Sequence, residues 1–226
     1  DEAITEEDVD VLIRTVPLHV LYEQGYEILL VNSNAERPVG GLAQTSYNVR
    51  VEELIQAGAE LGEHFENGLI HVSCYSEADL GRIEHVLFGT GLKRVRHVLT
   101  EKARALNTAE ALSVGDIAVV LDQINVCGDS LMMDGDFEFS AFVNKDTGMI
   151  LNDTQDALVR TARRHQVAAA RMMGGGGGGI TLLVAKVDQD TPDWRRAIVE
   201  ETAASSIARY EDGSINPDKK APEFIG

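Results

Sequence analysis

Apolar residues recur along this chain with two different periods, and the helical period is the more frequent. The stretch "YEILLVNSN", from Tyr26 to Asn34, is a short apolar run that ends in turn-forming residues, so it predicts a strand. From Ser46 to Phe65, apolar residues recur at helical spacing after a polar start. This pattern predicts a helix that Ser46 or Thr45 caps.

Five further helical patterns follow along the chain. The predicted helices run from Ser76 to Gly91, from Lys93 to Leu112, within Ser113 to Leu131, from Asp153 to Gln166 and from Asp193 to Tyr210. We expect Ser76 to cap the first of them, and Gly89 and Gly91 to end it. "FVNKDTGMILN" predicts a loop or hairpin, "AARMM" has a helical character, and "ITLLVAKV" predicts a buried strand. The tail "EDGSINPDKKAPEFIG" is typical of a loop.

Long helices with a few short strands favour the α+β class. Helices do not join the strands in regular pairs, so a parallel sheet is disfavoured. We therefore predict a small antiparallel sheet with helices packed on one face.

The net charge of the chain argues against two classes of binding partner. The chain has 226 residues and a net charge of −17, from 20 Lys+Arg against 37 Asp+Glu. Nucleic-acid sites need clustered basic residues, and anionic membranes attract basic segments, so we expect neither partner.

The two cysteines, Cys74 and Cys127, lie far apart in the sequence, and no His lies at metal-ligand spacing from either. We expect two reduced, semi-buried thiols in a cytoplasmic protein, with no metal site.

A run of six glycines is the only low-complexity segment. It comprises Gly174, Gly175, Gly176, Gly177, Gly178 and Gly179. Such a run is either a flexible linker or a loop whose backbone approaches a ligand, because glycine adopts positive φ and its N–H groups can form an anion-binding concavity. The tract leads straight into the predicted strand "ITLLV" and too few residues follow for a second core, so a tight loop is favoured. It lacks the Lys and Ser/Thr of a Walker loop.

The residues around the tract carry a resemblance. "ARMMGGGGGGITLLV" resembles the third motif of the GHMP small-molecule kinases in its galactokinase form, roughly G-A-R-M-T-G-G-G-F-G-G-C-x-x-x-L. Matching positions are Ala170, Arg171, Met172, Gly174, Gly175, Gly176, Gly178, Gly179 and Leu183. Met173, Gly177 and Ile180 stand where Thr, Phe and Cys are usual.

Three further stretches resemble galactokinases in the same order. "LLVNSN" followed by "LAQTSYNVR" is similar to a strand leading to S-x-Y-N-x-R. "KRVRHVLTEKAR" is similar to the helix motif R-R-x-R-H-V-x-x-E-x-x-R. "ALSVGD" and "CGDSLMMDGDFEFS" are similar to A-L-x-x-G-D and S-H-x-S-L-R-D-x-Y-E-V-S, with Gly128 and Met132 in place of His and Arg and two residues inserted. The resemblance covers roughly residues 26 to 190.

The resemblance implies ATP-dependent phosphorylation of the anomeric hydroxyl of galactose, with Mg²⁺. It implies that Tyr47 helps to shape the sugar pocket, that Gly174 to Gly179 lie on the phosphate side of the cleft, and that Arg171 supports this loop or is locally paired. For the other motif residues we favour structural roles over chemistry. We expect His97 and Glu101 to form a structural pair on a helix face, Asp116 to cap a helix, and Asp136 and Glu138 to be surface or packing residues and not a catalytic carboxylate pair.

The resemblance also implies an absent half. The family's phosphate loop, catalytic aspartate and sugar-gripping acidic residues have no counterpart in these 226 residues. Residues 1–226 are thus expected to form a C-terminal domain, with 1–45 leading from a missing N-terminal domain and 46–226 forming the core. ATP and Mg²⁺ are expected to need the missing half, and the chain alone is expected to be inactive. Two alternatives stay open: a non-catalytic sugar or nucleotide sensor, and another GHMP metabolite kinase.

Overall fold

The structure is a computed structural model that describes most of the chain. The described residues are 16–35, 41–65, 71–132, 135–136, 138, 142–144, 147–174, 176–187, 193–210 and 212–225, with the backbone alone for 41–47 and 142.

The described strands form two antiparallel sheets. The larger sheet contains β1 (Tyr26–Asn32), β4 (Ala169–Met172), β5 (Ile180–Lys186) and β6 (Glu223–Ile225), in the order β4-β5-β1-β6. The smaller sheet is a hairpin of β2 (Phe142–Asn144) and β3 (Met149–Asn152). In the larger sheet, Tyr26 pairs with Lys186 and Asn32 with Ile180, so β1 and β5 run alongside each other over their full lengths.

Seven α-helices are present among the described residues. They are α1 (His19–Glu23), α2 (Gly41–His64), α3 (Leu80–Ile83), α4 (Gly89–Val114), α5 (Ile117–Leu131), α6 (Thr154–Arg164) and α7 (Trp194–Ser205). None of the described helices is both long enough and apolar enough to cross a membrane.

Helices cover both faces of the larger sheet. Leu183 of β5 packs in a core with Leu158 of α6 and Ile198 of α7. Its neighbour Val184 points to the opposite face and packs with Leu112 of α4 and Val120 of α5. The α+β class with a small antiparallel sheet is therefore confirmed, and the expectation of helices on one face is corrected, because β5 is apolar on both sides.

A third core lies away from the sheet. Ala57 and Leu61 of α2 pack with Tyr75, Ile83 and Leu99, between two long helices and the short turns that connect them. The chain thus has a sheet layer and an adjoining helical layer, and α4 contributes to both.

Several predicted boundaries are wrong. Helix α2 begins at Gly41, so Thr45 and Ser46 lie inside it and not at its cap. The predicted helix from Ser76 is broken into a 3₁₀ turn (Glu77–Asp79) and the one-turn α3, although Ser76 does form a capping box with Asp79. Gly89 opens α4 with a φ of 58°, so the glycines expected to end a helix begin the next one.

Two short strands were missed. "AARM" forms β4 and not a helix, because pairing with β5 across the glycine tract overrides its local preference. In the tail, Phe224 pairs with Val31, so β6 completes the edge of the sheet next to β1. "FVNKDTGMILN" forms the hairpin that was one of its two expected structures.

Candidate functional site

The glycine tract is the loop of a hairpin between β4 and β5. Met172 pairs with Thr181, and the Met173 N–H donates to the Ile180 carbonyl at 2.8 Å, so the two strands meet at the base of the loop. Gly174, Gly176, Gly177, Gly178 and Gly179 all have positive φ. Gly175 lies outside the described residues. The tight-loop interpretation is confirmed, because a linker would not join paired neighbouring strands.

The loop packs against the end of β1. The Ser33 N–H donates to the Gly179 carbonyl at 2.8 Å. A Cβ on Gly178 would lie 2.4 Å from the Ala35 carbonyl oxygen, so only glycine fits there without a backbone shift. The stretches "LLVNSN" and "GGGGGG", which the resemblance singled out separately, therefore meet in space.

Gln155 of α6 holds the loop in place. Its side chain is 1% exposed, its Oε1 accepts from the Gly178 N–H at 3.1 Å, and its Nε2 donates to the Ile180 carbonyl at 3.2 Å. The amide therefore spans the C-terminal end of the loop. Sequence reasoning missed Gln155, because a polar residue in the first turn of an amphipathic helix is normally solvated.

A polar cleft of 680 Å³ opens beside the loop. Its walls come from the end of β1, the start of α6, the loop and the tail, and they include Asn32, Asn34, Asn152, Gly177, Tyr210 and Lys220. Neither the Gly177 nor the Gly179 N–H donates a hydrogen bond to another described residue. Free amides on a left-handed glycine backbone fit a phosphate oxygen. Among the described residues, no group of three or more His, Cys, Asp or Glu is arranged to hold a metal ion.

Tyr47 and Arg171 are the two other candidate positions. Tyr47 lies within α2, and its side chain lies outside the described residues. Its role in a sugar pocket stays a prediction. Arg171 is described, and it points away from the cleft towards α4.

Arg171 is locally paired, which is one of its two expected alternatives. Its Nη1 donates to Glu101 Oε1 at 3.1 Å and its Nε donates to the Met172 carbonyl at 3.2 Å. Glu101 also accepts from Arg104 Nε at 3.1 Å and from the Cys127 thiol at 3.0 Å. This carboxylate therefore joins α4, α5 and β4 immediately before the glycine loop.

Burial and charge set the protonation states in this network. Burial would raise the pKa of Glu101, but the Cys127 thiol, Arg171 and Arg104 together hold that pKa below its usual value. Burial raises the pKa of Cys127 to about 12. Both cysteines are free, and Cys74 is exposed where a semi-buried thiol was expected. Cys127 is therefore a buried neutral donor.

His97 has a structural role in the same layer. Its side chain is 7% exposed, and its Nδ1 lies 2.8 Å from the Ser130 hydroxyl of α5. Burial lowers the pKa of His97 to about 4, with a smaller opposing effect from Glu101. The ring is thus neutral near pH 7 and ties α4 to α5.

The remaining motif carboxylates contact arginines or a helix end. Arg94 is 1% exposed, and its three nitrogens donate to Glu53 at 2.8 Å, to the Asp136 carbonyl at 2.8 Å and to Glu138 at 3.0 Å. Asp136 also lies 3.5 Å from Arg96. The Asp116 carboxylate accepts from the Val119 N–H at 3.2 Å, which confirms its capping role. Asp136 and Glu138 therefore bind neighbouring arginines.

Gly128 stands where the similar galactokinase motif has histidine, and the surroundings of Gly128 leave no space for a side chain. A Cβ on Gly128 would lie 2.6 Å from the Ala170 carbonyl oxygen and 2.9 Å from Arg163 Nη2. Arg163 Nη2 donates to the carbonyls of Asn125 at 2.8 Å and Ala170 at 3.1 Å. The guanidinium of Arg163 thus occupies the space beside Gly128 and joins α5 to β4.

Comparisons with known proteins point to one family. The galactokinase of Halalkalibacterium halodurans is 34% identical over 99 residues, which cover 42% of this chain and 23% of that protein. The galactokinase of Thermosipho africanus is 30% identical over 132 residues, which cover 58% of this chain and 33% of that protein. No family model matches the chain.

The fold agrees with the sequence comparison. The crystal structure of Lactococcus lactis galactokinase complexed with galactose superposes with a TM-score of 0.67 and 20% identity, covering 89% of this chain and 44% of that one. The chain is related to the galactokinases and has the fold of part of one. The matched segments span about a quarter to a third of the two curated relatives.

Proposed function

Because the chain is related to the galactokinases, we propose that it is the C-terminal domain of a galactokinase-like sugar kinase. In its complete form, this kinase transfers the γ-phosphoryl group of ATP to the anomeric hydroxyl of galactose. The observation that carries the proposal is the glycine loop, which matches the family motif in sequence and places Gly177 in the wall of a polar cleft, while the N–H groups of Gly177 and Gly179 make no hydrogen bond to another described residue. We also expect a cytoplasmic location.

The described residues have positioning roles in this proposal. Phosphoryl transfer depends mainly on orientation and on stabilising negative charge, which ATP-bound Mg²⁺ also supplies. The Gly177 and Gly179 amides face phosphate oxygens, Gln155 and Ala35 fix the loop that carries them, and Tyr47 borders the sugar. Mg²⁺ and ATP would need the N-terminal half for binding.

The isolated chain is inactive in this account. The relatives are two to four times longer than the segments that match, and the family's catalytic aspartate and phosphate loop have no counterpart here. A galactokinase-like N-terminal domain is the partner that completes the site.

A matched pair of glycine substitutions tests the role of the loop. Gly179 and Gly148 have φ values of 97° and 69°, and a Cβ on either meets nothing within 4 Å. In the native polypeptide that contains this chain, Gly179→Ala should raise the KM for ATP about tenfold, because a shifted backbone misplaces its free amide. Gly148→Ala, in the turn between β2 and β3, should leave this KM unchanged.

The KM for galactose serves as the internal reference. Because the loop faces phosphate, Gly179→Ala should change the KM for galactose far less than the KM for ATP. Equal changes in both, or no change in either, would contradict the assignment of the loop to the phosphate side.

A non-catalytic sensor is the second candidate. The substitutions at Gly128, Met132, Met173 and Gly177 favour it, since relatives that lose turnover tolerate altered motifs. A native polypeptide that binds galactose or ATP but transfers no phosphoryl group would support the sensor. Turnover of a different sugar or metabolite would support another GHMP kinase.

A further inference from the structure

A second cavity, of 380 Å³, lies on the other side of β4 and β5, under α4 and α5. Arg171 and Leu182 line it from the sheet, Glu101 and Arg104 from α4, and Cys127 from α5. Gly174, the first residue of the glycine loop, also lines this cavity, whereas Gly177 lines the polar cleft. The loop therefore contacts two separate cavities.

Cationic groups outnumber carboxylates in this cavity. Arg104 and Arg171 face a single acidic side chain, Glu101, in a chain whose net charge is −17. Both Glu101 oxygens are already occupied, because Oε1 accepts from Arg171 and Cys127 and Oε2 accepts from Arg104. The cavity thus holds one positive charge more than its carboxylate neutralises.

The two arginines keep unused donors. Arg104 Nη2 is buried and has no hydrogen-bond partner among the described residues. Arg171 uses its Nε and Nη1, and its Nη2 makes no hydrogen bond to another described residue. A buried charged donor without an acceptor is unfavourable, and an entering carboxylate or phosphate satisfies such donors.

Part of the remaining wall is apolar. Ala105, Ile124 and Leu182 line the cavity next to the arginines, and Thr108 and Gln123 add polar side chains. Its volume lies within the range of about 300 to 1,000 Å³ that is usual for small-molecule sites. One charged end and one apolar wall suit a small acid with a short hydrocarbon body.

We propose that this cavity binds a small monoanion, with a carboxylate or phosphate head held by Arg104 and Arg171 and a compact apolar body against Leu182 and Ile124. The site is separate from the polar cleft and goes beyond the proposed kinase function.

Titration of the ¹⁵N-labelled chain with simple probes tests the site without any kinase activity. Butyrate carries both head and body, inorganic phosphate carries the head alone, and 1-butanol carries the body alone. We expect saturable butyrate shifts at the Gly174 and Leu182 amides with a Kd of about 1–10 mM, weaker phosphate binding, and no saturation by 1-butanol. Equal binding of butyrate and 1-butanol, or no saturation by butyrate, overturns the proposal.

Three variants locate the binding. Arg171→Gln should weaken butyrate binding at least about tenfold, because it removes one of the two cationic donors. Ala105→Leu should also weaken butyrate binding at least about tenfold, because it fills the cavity while both arginines remain. If Arg171→Gln fails to fold, the result for Ala105→Leu tests the site. Arg96→Gln is the matched control, since Arg96 lies on α4 in a neighbouring groove that also includes Arg104. Loss of binding in Arg96→Gln with retention in the other two variants would place the anion in that groove and overturn the proposal.

Discussion

At the scale of single residues, two glycines are required by close backbone contacts. Gly178 lies against the Ala35 carbonyl, and Gly128 lies against the Ala170 carbonyl. Each contact joins parts of the chain that are far apart in sequence. Neither requirement was visible beforehand, since Gly178 is one of six identical residues and Gly128 stands where the resembling motif has histidine.

Gly178→Ala should lower the free energy of unfolding by about 2–4 kcal/mol. The added Cβ would lie 2.4 Å from a backbone oxygen, and the φ of 149° is one that L side chains rarely adopt. Chemical denaturation measures the change. Gly179→Ala is the control, because its Cβ meets nothing, and it should lose only about 1 kcal/mol from backbone strain. Equal losses in the two variants would contradict the close packing of Gly178 on Ala35.

His97 should make stability depend on pH. Its pKa in the folded chain is about 4, below the ordinary value of 6.5, so protons bind the unfolded chain more readily in this interval. Its contribution is therefore fully present above pH 6.5 and is lost as pH falls towards 4. Between pH 7 and 5 the loss should be about 2 kcal/mol.

Carboxylates also make stability depend on pH, so the contribution of His97 is measured as the difference between the wild type and a variant without this histidine. His97→Gln cannot take up the proton, so its free energy of unfolding should fall less steeply than that of the wild type between pH 7 and 5. Urea denaturation at several pH values measures both slopes. Parallel slopes would show that His97 is not buried in its neutral form.

At the scale of elements, Glu101 links three of them. It contacts Arg104 within α4, Cys127 of α5 and Arg171 of β4. Glu101→Gln should lower the free energy of unfolding by about 2–3 kcal/mol, because it leaves two arginines partly buried without their carboxylate. Glu200→Gln is the control, since the Glu200–Arg196 pair is exposed, and it should leave the free energy of unfolding nearly unchanged. Similar changes in both variants would mean that Glu101 does not join these elements.

Most elements with long periodic patterns were predicted correctly, with the broken helix after Ser76 as an exception, and short elements that depend on distant partners were not. Helix α4 and strand β5 were evident because each pattern covers the whole element. The four-residue β4 takes its form from β5 and the glycine hairpin, and the three-residue β6 from β1. The glycine loop was identified from its motif, but its contact with Gln155 depends on how α6 packs on the sheet.

At the scale of the whole molecule, the chain contributes one side of a larger site in this account. Strand β1 lies between β5 and β6, and its end meets the glycine loop and the polar cleft. The chain superposes on 44% of the Lactococcus lactis galactokinase, so that protein is more than twice as long as its matched part. The cleft is therefore expected to become a complete kinase site only against an N-terminal domain.

The most direct measurement is ATP-dependent formation of galactose 1-phosphate, assayed in parallel for residues 1–226 and for the native polypeptide that contains them. The account predicts turnover of galactose by the native polypeptide and none by residues 1–226 alone. Phosphorylation by the isolated chain would contradict the need for an N-terminal domain. A native polypeptide that transfers no phosphoryl group to galactose would contradict the proposed sugar kinase.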